Sequence, residues 1–246
     1  MAERGRWRLP AALVLLSAAL ASPAQAQLTS CALPETIPVP RHSGPSEAQP
    51  RRVVPVGSYT LALSWSPQYC AGRQGEGSFQ CGGRDNRFGF ILHGLWPDGA
   101  GADWPQYCRP AQRLPAAVLR ANLCATPSAD LLQHEWAKHG TCMSRTPQAY
   151  FERARALYGA LRFPDMEALA RRGDLTRGTF VRAFLAANAR AVPGLKENAL
   201  RVRLTRQGWL DEVRVCLDRQ FRSTACPRHA GGPGSPGQRL RIRMQP

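Results

Sequence analysis

The chain has 246 residues, with 33 lysines and arginines against 17 aspartates and glutamates, for a formal net charge of +16. That length suffices for one domain with a proper core, and the charge favours a polyanionic partner through counterion release and long-range steering. Beyond the N-terminal region no segment approaches 20 consecutive apolar residues, which excludes a membrane-spanning helix in the mature chain.

The N-terminus reads as an export signal. Arg4, Arg6 and Arg8 are followed by an apolar run, Leu9 to Leu20, broken only by Pro10 and Ser17, and then by the small-x-small site Ala24-Gln25-Ala26. Residues 1–26 are therefore expected to be removed after Ala26, which places the chain in the periplasm or outside the cell. Leu28-Thr29-Ser30-Cys31 resembles a lipobox, but polar residues and a proline separate it from the apolar run, which argues against a lipoprotein. All eight cysteines follow the cleavage site, an even number that in an exported chain reads as four disulfides. They lack paired CxxC units, so a structural zinc site is not expected.

Residues 27–57, with prolines at 34, 38, 40, 45, 50 and 55, read as an extended arm pinned by Cys31, and 58–246 as a single domain. Tyr59, Leu61, Leu63 and Trp65 alternate with smaller residues, a strand pattern. Residues 72–86 form a loop bracketed by Cys70 and Cys81. Phe88, Phe90 and Leu92 then alternate in a second strand, which Gly94 and Pro97 should break, leaving His93 at a strand-to-loop mouth.

Ser128 to Gly140 carries helix-end signals: Ser128 as N-cap, Asp130 in the first turn, Lys138 and His139 in the last, and Gly140 as the C′ residue. Pro147–Leu161 and Thr179–Ala191 follow the helical period. Leu200, Val202 and Leu204, then Leu210, Val213 and Val215, flank Arg206-Gln207-Gly208 as a hairpin, and Leu240, Ile242 and Met244 fit an edge strand or a solvated tail. Strands and helices do not alternate one for one. The expected class is α+β: a central, mostly antiparallel sheet with helices packed around it, stabilised by disulfides.

Three of the five histidines, His93, His134 and His139, fall in two short segments, FGFILHGLWP (88–97) and HEWAKHGTC (134–142). On a helix His134 shares a face with Lys138, and Glu135 with His139 one step around. The two histidines are five apart, separated by about 140° on a regular helix, so they cannot jointly ligate one ion as HExxH does. Acid–base chemistry suits them better. RNA cleavage removes the 2′-hydroxyl proton, protonates the leaving 5′-oxygen and builds negative charge on the phosphorane between those events. Two histidines and a fixed cation meet those needs without a metal. Glu135 is expected to orient His139 and favour its charged form, and Lys138, one of only two lysines beside 31 arginines, to stabilise the transition state. Trp96, Trp104 and Tyr107 either stack RNA bases or pack the core.

FGFILHGLWP and HEWAKHGTC resemble the two active-site segments of the ribonuclease T2 family, and LSWSPQYC (63–70) and VCLD (215–218) resemble its framework. The resemblance covers residues 59–226. It implies an α+β fold with an antiparallel sheet. It also implies cleavage by transesterification to a 2′,3′-cyclic phosphate and then to a 3′-phosphate. By resemblance His93 and His139 are the acid–base pair, with His139 the base, although sequence alone does not set that order. His134 would bind phosphate, and Glu135 and Lys138 would stabilise the pentacovalent transition state. Trp96 and Asp98 occupy base-site positions, and the third, aromatic member is Trp104 or Tyr107. The implied bridges are Cys70–Cys81, Cys108–Cys142 and Cys216–Cys226, which leaves Cys31 with Cys124. A bridge of the plant members, from the Leu200 strand to the C-terminus, has no cysteines here.

The expectation is an exported, metal-independent, monomeric endoribonuclease of single-stranded RNA with low base specificity, no cofactor and an acidic optimum helped by cationic His134. Two rivals are an idle RNA-binding protein on the same fold, which five intact candidate residues oppose, and a metallohydrolase, which the helix spacing opposes.

Overall fold

The computed structural model describes residue 1 and residues 28–72, 77–82, 86–227 and 232–244. The expected export signal lies outside these residues apart from Met1, as does His229. No helix among the described residues is long and apolar enough to cross a membrane.

In chain order the elements are β1 (Leu28–Ser30), β2 (Val56–Trp65), α1 (Ser66–Cys70), β3 (Arg87–Phe88), β4 (Phe90–Gly99), α2 (Ala116–Asn122), α3 (Ala129–Lys138), α4 (Pro147–Ala160), α5 (Met166–Ala170), α6 (Arg177–Asn188), β5 (Leu200–Leu204) and β6 (Leu210–Leu217). The main sheet is antiparallel with order β4-β2-β6-β5, and β1 pairs with β3 in a separate ribbon. Leu61 and Leu63 of β2, Leu92 and Leu95 of β4 and Val213 and Val215 of β6 share one core with Leu132 and Trp136 of α3, Tyr150 of α4 and Phe180 and Phe184 of α6. On the other face of the three adjoining strands stand Thr60, Ser64, Trp96, Glu212 and Arg214, as the period of two requires.

The second strand does not end at His93. β4 runs on through Gly94 and Pro97 to Gly99, because it is an edge strand, where a residue without an N–H is tolerated. Gly94 marks a bulge instead. Ala62 pairs with Gly94 and Leu63 with Leu92, so His93 is the extra residue opposite no partner. A bulge bends the strand and re-aims the side chain it carries. The open edge of β4 is covered: Leu92 N–H donates to the Ala125 carbonyl (2.8 Å), Thr126 Oγ1 to the Leu92 carbonyl (2.6 Å), Tyr158 Oη to Phe90 (2.7 Å), and Tyr150 Oη both donates to and accepts from Leu95. These contacts leave little edge for another chain to pair with.

Ser128 caps α3 as expected, its Oγ accepting from Leu131 N–H at 3.2 Å. Gly140 is not a left-handed C′ residue; it opens a 3₁₀ turn, Gly140–Cys142. Glycine is needed there for space, since a Cβ would run into the Trp136 ring and crowd Tyr150. The α6 helix starts two residues earlier than its periodicity suggests, capped by Thr176. Leu240 and Ile242 are buried, and their neighbours Arg239 and Arg241 form isolated bridges with Thr176 and Trp209, so that segment is neither a full strand nor a solvated tail.

Disulfides join Cys31–Cys124, Cys70–Cys81, Cys108–Cys142 and Cys216–Cys226. With its sulfur bonded to Cys124, Cys31 has none left for a lipid thioether. The arm has little regular structure, as its prolines require, yet it is packed on the domain. Arg120 holds the Pro34 and Glu35 carbonyls, Arg41 pairs with Asp130 at 2.7 Å, and Arg52 exchanges two backbone hydrogen bonds with Gln106.

Candidate active site

The polar face of the sheet and the C-terminal half of α3 enclose a cleft of about 440 Å³. His93, Trp96, Asp98, Trp104, His134, Glu135, Lys138 and His139 line it, together with Thr60, Arg201 and Arg214. Eight of the nine side chains expected from sequence thus meet in one place. Tyr107 is the exception. It is buried, with φ of +51°, its N–H donates to the Lys138 carbonyl, and its ring lies edge-on behind His134 at 6.5 Å.

His93 is held from behind by a residue that sequence reasoning missed. Glu212 of β6, 5 % exposed, places Oε2 2.8 Å from His93 Nδ1. Ser64 Oγ lies 3.1 Å from the same nitrogen. The carboxylate only accepts, so Nδ1 carries a proton and Nε2 is left facing the cleft. Burial pushes the imidazole pKa down, but the Glu212 hydrogen bond and the Glu135 charge outweigh it and raise it above the usual value. Burial likewise pushes Glu212 up, and its contacts with His93 and with Arg214 (2.6 Å) reverse this, holding it at about 2.

The α3 side is the opposite case. His139 is 8 % exposed and its pKa lies well below the usual value, from burial first and then from Lys138, His134 and His93. Its Nδ1 is buried without a hydrogen-bond partner among the described residues, which further disfavours an imidazolium. Burial, with Lys138 and His93, lowers His134 to about 4, and burial lowers Lys138 against the pull of Glu135. The expectation that Glu135 charges His139 is therefore wrong. The Glu135 side chain turns towards β4, accepting from Trp96 Nε1 at 2.8 Å with Oε1 3.8 Å from His93 Nε2, and its only hydrogen bond with His139 is between backbones. Glu135 is itself buried, 2 % exposed. Full burial raises its carboxyl to about 7, against the opposing charge of His93.

Trp96 stands between the two imidazoles, with its ring 5.1 Å from His93 and 5.6 Å from His139, and Arg214 lies 4.8 Å over it. That indole is a spacer with its faces already engaged. Trp104 is the aromatic left accessible, 47 % exposed, with Arg52 4.8 Å from its ring. Asp98 accepts from Thr60 Oγ1 at 2.8 Å. Gly94 makes the seat for Glu135: a Cβ there would collide with its carboxylate and with Trp96 Nε1.

The resulting arrangement pairs an imidazole biased towards the protonated form with one biased towards the neutral form, on either side of an indole and beside a lysine. It can take one proton and give another while stabilising anionic charge between.

The sequence model described as the Ribonuclease T2 family matches residues 56–226. A probable ribonuclease of Haemophilus influenzae is 40 % identical over an alignment of 128 residues, with coverage of 46 % of this chain and 46 % of that one. A ribonuclease of Aeromonas hydrophila is 31 % identical over 163 residues, 66 % of this chain and 72 % of that one. The alignment thus spans about half the length of the Haemophilus protein and over two thirds of the Aeromonas one. Among solved structures, an RNase-related protein from Calystegia sepium superimposes with a TM-score of 0.59 at 24 % identity over 78 % of this chain and 98 % of that one. RNase NT in complex with 5'-AMP does so with a TM-score of 0.53 at 21 % identity over 77 % and 99 %.

Proposed function

The chain belongs to the ribonuclease T2 family, and we propose that it is an exported endoribonuclease that cleaves single-stranded RNA by attack of the 2′-hydroxyl on the adjacent phosphate. The observation that carries this reading is the opposite bias of the two imidazoles. Glu212, 2.8 Å from Nδ1, biases His93 towards its protonated form, and burial with an unpartnered Nδ1 biases His139 towards its neutral form.

His139 then takes the 2′-hydroxyl proton while His93, through Nε2, gives one to the leaving 5′-oxygen. The phosphodiester is replaced by a 2′,3′-cyclic phosphate. Lys138 meets the charge that builds on the phosphorane, and His134, neutral above about pH 4, binds phosphate as a hydrogen-bond donor rather than as a cation. Glu135, with a carboxyl at about 7, is largely a neutral acid at pH 5 and donates where an anion would repel phosphate. Water then opens the cyclic ester with the two histidines exchanging roles, which leaves a 3′-phosphate. Both proton transfers fall to the histidines, so no step calls for a metal.

Trp104, exposed at the cleft, offers a stacking face that any base can use, with Asp98 beside it, and this supports low base specificity. Four disulfides suit an oxidising compartment, the periplasm or the cell exterior, and the cleft is complete within one chain, which supports action as a monomer. The test is digestion of a short defined RNA in excess EDTA, with mass analysis of the ends, beside His93→Ala and His139→Ala. Cyclic-phosphate ends that persist in chelator and vanish in both variants are expected. Cleavage abolished by EDTA overturns the mechanism, and no cleavage at all leaves an RNA-binding protein.

A further inference from the structure

A second cavity, also about 440 Å³, adjoins the cleft and is built largely from the arm. His42, Ser43 and Arg51 line it from the arm side, Tyr107 and Arg109 from the loop after β4, and Ala137 from α3. No carboxylate lines it. His42, Ser43 and Arg51 precede the stretch 56–226 that matches the family, whereas Tyr107, Arg109 and Ala137 lie within it.

Two observations point to an anionic occupant. The guanidinium of Arg51 donates through Nε and Nη2 to the Cys108 carbonyl, and that of Arg109 through Nε and Nη2 to the Thr141 and Ser144 carbonyls. These bonds fix both groups yet neutralise neither: among the described residues no carboxylate pairs with Arg51 or Arg109, and Nη1 of each has no partner. The cavity also shares a wall with the cleft. Ser43 Oγ lies 3.2 Å from His134 Nδ1, and the strained backbone of Tyr107 props its ring against the same imidazole. A polyanion strand leaving the cleft past His134 meets the two arginines next.

We propose that the arm and the 107–111 loop form a phosphate-binding subsite that grips the RNA backbone outside the scissile dinucleotide. This rests on the ribonuclease reading and sets which substrates benefit: chains longer than two nucleotides. The arm is then part of the substrate path, and its prolines and the Cys31–Cys124 bridge hold it in place at low entropic cost.

The experiment compares a dinucleoside monophosphate, too short to reach the arm, with a pentanucleotide. Arg51→Ala is expected to raise KM for the pentanucleotide about 5-fold, the loss of one partly exposed charge contact, with kcat unchanged. It should also lower the salt slope by about 0.7, the value for one phosphate on a single strand. Cleavage of the dinucleoside monophosphate should hold within about twofold, and Arg51→Lys should recover most of the loss. Equal loss on both substrates, or no loss on either, overturns the subsite. Binding of a non-cleavable 2′-deoxy pentanucleotide to wild type and Arg51→Ala gives a readout independent of turnover. If wild type cleaves neither RNA, the ribonuclease reading fails while deoxy-oligonucleotide binding still decides the subsite.

Discussion

The Glu212 carboxylate lies 2.8 Å from Nδ1 of His93, and it joins strand β6 to the bulge of β4 across the strand between them. Glu212 is thus a positioning residue: it sets the tautomer of His93 and favours its charged form without facing the cleft itself. Glu212→Gln keeps the shape and removes the charge. The expected result is a fall in kcat/KM of about 10- to 100-fold, by analogy with carboxylates that orient metal-binding histidines. The alkaline limb of the pH profile should also move to lower pH. An unchanged limb would show that the carboxylate does not act on His93. Because Arg214 loses its partner too, Glu212→Ala should destabilise the fold by roughly 1–3 kcal/mol, read by denaturant titration.

Gly94→Ala tests the seat of Glu135. The added Cβ overlaps the carboxylate and the Trp96 indole, so Glu135 must turn away from His93. Overpacking of this kind costs about 1–3 kcal/mol. Activity should fall by two orders of magnitude or more while the far-ultraviolet spectrum stays native. Near-wild-type kcat/KM would mean that Glu135 has no part in turnover.

Much of this was legible in sequence, and the parts that were not have identifiable causes. His93, His134, Glu135, Lys138 and His139 announce themselves because titratable side chains cluster in two short segments, and the folded chain brings those segments to one cleft. Glu212 gives no such signal: it sits in a strand of leucines and valines, and its partner is 119 residues away. The one hint is that Glu212 and Arg214 alternate with Val213 and Val215, which marks a polar sheet face. His93 was expected at a strand end because Gly94 and Pro97 read locally as breakers, whereas edge position and a bulge are properties of the whole sheet. The short α1, α2 and α5 helices escaped for a similar reason, since few apolar positions recur in so brief a segment and tertiary packing decides them. Glu135 and His139 share a helix face by spacing, but the direction of the Glu135 carboxylate depends on Trp96, which comes from the sheet.

The Cys108–Cys142 bridge anchors the turn that follows His139. Replacing both cysteines by serine should cost about 2–5 kcal/mol, read as a lower Tm. Because Cys142 N–H also donates to the His139 carbonyl, loosening that turn should lower kcat by more than it raises KM. Equal activity with and without the bridge would confine its role to stability.

Trp104→Ala should raise KM for every base alike, by the roughly 1–3 kcal/mol that stacking on one aromatic contributes. The comparison uses four dinucleoside monophosphates that differ only in the base 5′ to the scissile bond. A loss restricted to one base would show a specific pocket instead of a platform.

The pH profile follows from opposite displacements. His139 must be neutral to accept a proton, and its lowered pKa keeps it so well into acid. His93 must be protonated to donate one, and its raised pKa extends that form to higher pH than a free imidazole allows. Between those limits both forms coexist, and below about 7 Glu135 is also a neutral acid. The quantity kcat/KM, which reports the free enzyme, should therefore be highest in acid and fall above about pH 7, where Glu135 ionises; a rate still rising at pH 9 would contradict the assignment. Glu135 adds a separable signature in stability. Its folded pKa, about 7, is raised from 4.5, so its contribution is fully present below 4.5 and is lost as pH rises through 7. Glu135→Gln keeps the neutral form at every pH. It should flatten both the stability slope between pH 5 and 7 and the part of the alkaline limb that belongs to the carboxyl, leaving the limb set by His93.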